Sequence, residues 1–119
     1  MWYRPVEHYA SNLSKLRRYQ EAKSLLRKTV PVARRALGED DRFTLKMRIT
    51  YARALYKDAA ATLDDLREAV ETLESVAKSC QQLFGAVHPD TSNVLNVLAH
   101  ARKKLAAAEP AASESKPPP

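Results

Sequence analysis

The stretch Leu37-Gly38-Glu39-Asp40-Asp41-Arg42-Phe43-Thr44 recurs as Phe84-Gly85-Ala86-Val87-His88-Pro89-Asp90-Thr91, every position displaced by 47. Each copy runs from a large apolar residue to a glycine, through a polar loop, to a threonine that opens a new apolar pattern. A glycine after an apolar run stops a helix because it takes positive φ without a Cβ clash. A polar stretch carrying Asp and Thr then starts the next helix by capping its free N–H groups. Repeated helix–stop–helix units of this length announce a solenoid. A solenoid presents a surface that binds, with no chemistry required.

Working outward, the apolar spacing predicts five helices. The first covers about 5–17, with Pro5 at its start and Val6, Tyr9, Ala10, Leu13 and Leu16 at three- and four-residue intervals. The second covers about 20–36, striped by Ala22, Leu25, Leu26, Val30, Ala33 and Leu37. Pro31 interrupts that stripe and should bend or split the helix near Thr29. A third helix over 42–56 turns Leu45, Ile49, Ala52 and Leu55 inward, and a fourth over 63–83 does the same with Leu66 through Leu83. The fifth, 90–107, is expected to bury Val94, Leu95, Leu98, Ala99 and Leu105. Residues 1–107 therefore form one helical domain. The Ala/Pro/Ser-rich tail, 108–119, cannot build a core and is expected to be disordered.

Composition agrees with an all-α chain. Of 119 residues 45% are hydrophobic, only two are glycine, and no alternating Val/Ile/Thr run supports a strand. The single cysteine, Cys80, allows no internal disulfide and reads as a small buried residue, which points to a reduced, cytoplasmic setting. No apolar run has the length of a membrane span or signal peptide, so no membrane partner is expected. The net charge of +6 is uneven. Residues 1–48 hold 12 Lys/Arg against 5 Asp/Glu, whereas 49–108 hold 7 against 7.

Aligned on their alanines, the first helices of the two units match at an offset of 42 and the second helices at 47. Tyr9, Ala10 and Leu13 fall on Tyr51, Ala52 and Leu55, while Tyr19, Ala22 and Leu26 fall on Leu66, Ala69 and Leu73. Five residues are inserted near Lys57–Thr62. Small residues midway along the first helix and early in the second, with Phe84-Gly85 and His88-Pro89-Asp90-Thr91 between units, resemble the tetratricopeptide repeat of the kinesin-light-chain type. The resemblance spans residues 5–106, departing at Arg17, which stands where a turn glycine is usual, and at Thr29. It implies a right-handed solenoid of two and a half helix–turn–helix repeats, whose first helices line a concave groove.

The residues leave little room for catalysis. His8, His88 and His100 show no metal-site spacing, the carboxylates Asp64, Asp65, Glu68, Glu71 and Glu74 read as a solvated helix face, and no phosphate loop exists. No cofactor and no enzymatic activity are expected. The expectation is a protein-interaction scaffold taking an acidic or amphipathic peptide. The candidate contacts are the outward positions His8, Asn12, Lys15, Lys46, Thr50 and Arg53. Two other readings stand beside it: an end piece of a longer repeat array, and a nucleic-acid-binding patch that lacks any recognition motif or interleaved aromatic platform. Partner identity and oligomeric state stay open.

Overall fold

The computed structural model describes residues 3–114, with side chains from 4 to 109. Five helices follow one another: α1 (Tyr3–Lys15), α2 (Tyr19–Leu37), α3 (Arg42–Lys57), α4 (Leu63–Phe84) and α5 (Pro89–Glu114). There is no strand among the described residues. The arrangement is an all-α helical repeat solenoid, α1–α2 and α3–α4 forming two hairpins and α5 the half unit. Its radius of gyration, 15.1 Å, exceeds the ~13.5 Å of a globular chain this long, as an elongated stack requires.

The helix stops are those of the repeated stretch. Gly38 (φ 98°) and Gly85 (φ 87°) end α2 and α4, their N–H groups donating to the carbonyls of Arg34 and Gln81. The starts differ from expectation in one respect. Asp41 and His88, one repeat apart, do the capping: the Asp41 carboxylate accepts from Phe43 N–H (2.9 Å) and His88 Nδ1 from Asp90 N–H (3.1 Å). The threonines do not cap. Thr44 and Thr91 are fully buried and donate across to the carbonyls of Ala33 and Cys80. In α4 a capping box closes between Thr62 and Asp65.

Pro31 does not split α2, which is continuous through it. Its ring is exposed, so the Arg27 carbonyl that loses its donor can turn to water. Three residues expected inward are exposed instead: Leu83, Leu95 and Ala99. Leu83 shares a register with Ala36, and the packing falls to Phe84, the counterpart of Leu37. On α5 the buried line is Val94, Val97, Leu98 and Ala101. Ala99 lies at the register of Ala52, a side that α4 and α5 cover on α3 and that no element covers on α5. Helix α5 also continues beyond 107 to Glu114; Ala108 packs on the core and Arg67 pairs with Glu109 at 3.7 Å. Of the expected tail, residues 115–119 lie outside the described residues, as do Trp2 and the Tyr3 side chain.

Helix α3 holds the stack together by using two sides. Met47 packs into a cluster with Ala10, Leu26, Val30 and Ala33, and Ala54 meets Leu13 and Ala22. Its opposite side, Leu45, Ile49, Ala52, Leu55 and Tyr56, joins α4 and α5 in the larger core. The alanines at the crossings, Ala10, Ala22, Ala52 and Ala69, are all fully buried.

Candidate functional site

Helix α1 touches α3 and α3 touches α5, whereas α2 and α4 do not approach each other. First helices held close and second helices splayed make the inner side of the curve the side of α1, α3 and α5. An open groove of about 940 Å³ lies there. Its walls are the C-terminal half of α3 (Arg53, Tyr56, Lys57), the turn after it (Asp58, Ala59), the α1–α2 turn (Arg17, Tyr19) and one side of α5 from Asn93 to Ala107.

The chemistry of the groove is cationic with apolar patches. Arg17, Arg53, Lys57, Lys103 and Lys104 line it with His100, against one carboxylate, Asp58. That carboxylate is already engaged, accepting from Gln20 Nε2 (2.6 Å) and Ala60 N–H (3.0 Å), with Lys23 Nζ at 3.7 Å. The Ala60 N–H bond foremost, then Gln20 and Lys23, hold its pKa below the usual carboxylate range, with burial opposing them. Among the described residues, none of the five groove cations pairs with a carboxylate. The arginines elsewhere do so repeatedly: Arg18 with Glu21, Arg34 with Glu39, Arg42 with Asp90, Arg67 with Asp64, Arg102 with Glu74. Lys104 donates to the Tyr56 carbonyl at the end of α3, and Arg53 Nε is buried with no hydrogen-bond partner. Tyr56 is 3% exposed; burial raises its phenol pKa, with Arg53 opposing.

Of the six residues expected to make contact, the structure puts only Arg53 in this groove. Lys46 is exposed near the start of α3, in a smaller cleft with Arg42, Asp90 and Asn93. Lys15 is exposed at the register of Lys57 but lies outside the groove lining. Thr50 is corrected outright. It is 8% exposed, and its hydroxyl donates to the Lys46 carbonyl. His8 and Asn12 share the registers of Thr50 and Ala54, the side α3 turns toward the preceding unit. They are exposed because no described residue covers that side of α1.

The groove residues that went unseen were within reach. Adding 47 to Lys46, Ile49, Arg53, Tyr56 and Lys57 gives Asn93, Asn96, His100, Lys103 and Lys104, five of the seven residues that α5 contributes to the lining. The basic surface therefore does not come from the charge excess of residues 1–48. Most of its cations belong to the half whose charges sum to zero, because α4 carries the acids and turns them away from the groove.

Residues 10–42 match the model of the tetratricopeptide repeat. The match runs from Ala10 in α1, through α2, to the first residue of α3. Tetratricopeptide repeats generally mediate protein–protein interaction and are generally non-catalytic. No curated protein and no solved structure matches this chain. No helix is long and apolar enough to cross a membrane, and no group of three or more His, Cys, Asp or Glu could hold a metal, among the described residues.

Proposed function

We propose that this is a non-catalytic interaction module of kinesin-light-chain-like repeats, a scaffold whose α3–α5 groove binds an acidic, amphipathic peptide. One observation carries the reading: five cations without carboxylate partners line a single groove whose one carboxylate, Asp58, is already engaged by Gln20, Ala60 and Lys23. A cation without a carboxylate partner is available to an anionic ligand, which it steers and orients. The apolar surfaces of Tyr19 and Ala107 between these cations would hold the non-acidic side of the peptide. A cytoplasmic setting goes with this reading, supported by a cysteine that is single and buried.

Fluorescence anisotropy with a labelled oligoglutamate peptide tests it. The wild-type protein should bind, more weakly as salt rises, and Lys103→Glu with Lys104→Glu should cost about tenfold or more in affinity. Binding unaffected by the double reversal would place the peptide elsewhere and end the proposal.

A second reading, that the unit is an end of a longer array with a structural role, is favoured by the exposed Tyr9 (56%) and Leu16 (66%). Tyr9 also borders a cleft of about 410 Å³ with Leu13, Gln20, Glu21, Ser24 and Leu25. A further helical hairpin would cover this side. Sedimentation velocity checks it: concentration-dependent association that Leu16→Ser abolishes supports the reading, and a concentration-independent monomer counts against it.

A further inference from the structure

Three of the described residues have positive φ, and one of them has a side chain: Arg17, at 61°. The reason for the conformation is local. Helix α1 ends with Arg18 N–H donating to the Leu13 carbonyl (2.8 Å) and Arg17 N–H to the Ser14 carbonyl (3.0 Å). That paired pattern is the Schellman helix stop, which requires a left-handed residue at position 17. Glycine takes the left-handed region freely, Asn and Asp with some ease, and a long side chain with a Cβ penalty. The chain's other helix stops at positive φ obey this with Gly38 and Gly85, so arginine here runs against the local preference.

Strain of this kind persists where the side chain does something the backbone-preferred residue cannot. No described residue engages the Arg17 side chain. It is exposed and has no ion pair or side-chain hydrogen bond among the described residues, while its neighbour Arg18 reaches Glu21 at 2.6 Å. What it does is line the groove, on the rim facing Arg53, Lys57 and the α5 cations.

We infer that Arg17 is a ligand-binding residue of the groove, its guanidinium taking a carboxylate of the bound acidic peptide. The inference rests on the peptide-binding reading above and deepens it by assigning the first hairpin's contribution. An arginine suits the role because its planar fork meets a carboxylate with two parallel N–H bonds. The α1–α2 turn thereby becomes one jaw of the site and α5 the other.

Because strain and binding pull in opposite directions, Arg17→Gly should raise the melting temperature by roughly 2–4 °C and weaken oligoglutamate binding about tenfold. Arg17→Lys keeps both charge and strain, so its melting temperature should stay that of wild type and its affinity within about threefold. Both variants are read by thermal unfolding and by anisotropy with the same labelled peptide. If Arg17→Gly binds as wild type does while the Lys103/Lys104 reversal still weakens binding, the groove stands and Arg17 has no part in it. A lowered melting temperature for Arg17→Gly would mean that the arginine is kept for the fold, and would overturn the inference. A wild-type protein that fails to bind oligoglutamate overturns both.

Discussion

Thr44 and Thr91 are the same residue twice. Each is fully buried near the start of its helix, and each hydroxyl donates to a carbonyl eleven positions back, Ala33 at 3.5 Å and Cys80 at 3.2 Å. The acceptors are themselves 47 apart, so the repeat visible in the sequence is also a repeat of hydrogen bonds between consecutive helices. A hydroxyl with no solvent must find a partner, and the last turns of α2 and α4 supply one.

Replacing Thr91 with Val should destabilise the domain by about 1 kcal/mol, since the shape is kept and one buried hydrogen bond is lost. Thr44→Val should cost less, its bond being longer. Urea denaturation of the two variants gives the comparison; a Thr91→Val protein as stable as wild type would reduce the pair to a coincidence of spacing.

Ala52 and Ala99 occupy the same repeat position, yet only the first is covered. Ala52→Leu should cost roughly 1–3 kcal/mol by overpacking the α3–α4 crossing. Ala99→Leu, on the open side of α5, should stay within ~0.5 kcal/mol. Equal losses in thermal unfolding would mean that this side of α5 is covered.

Cys80 is 2% exposed, and burial, with Asp90 adding, raises its thiol pKa. A protonated, covered thiol is a poor nucleophile. A disulfide-exchange reagent should therefore modify it more than about tenfold more slowly in the native protein than in urea. Equal rates would show that the α4–α5 contact opens readily.

Asp58 contributes to the acid dependence of stability. Its native pKa lies below the unfolded value, so the unfolded chain takes up the proton first as pH falls. The stability it contributes is present above the unfolded value, about 4, and is lost as pH drops through the lower native one. Between about pH 5 and pH 3 the melting temperature should fall further for wild type than for Asp58→Asn. Parallel falls would place the acid sensitivity elsewhere.

How much of this was legible depended on the range of the physics involved. The stops at Gly38 and Gly85 need only a residue that tolerates positive φ, and the buried lines of α2 and α3 need only the helical period. Pro31 misled because the cost of a lost donor depends on whether the freed carbonyl meets solvent. The groove side misled more. On α1 and α3 two sides are equally outward by spacing, and His8, Asn12 and Thr50 fall at the registers that α3 packs against α1 and α2, away from the groove.

The sequence by itself determined five helices, their order, the 47-residue repeat and the small residues at the crossings, because each rests on backbone conformation or on neighbours within a turn or two. Tertiary structure alone decided where the cations meet. Lys103 and Lys104 lie far along the chain from Arg17, in a half with no net charge, and only the curvature of the stack brings α5 opposite the first turn. It decided equally that these cations stay unpaired, since an ion pair between helices forms only where packing brings acid and base within reach. The same curvature turns the carboxylates of α4 to the other side.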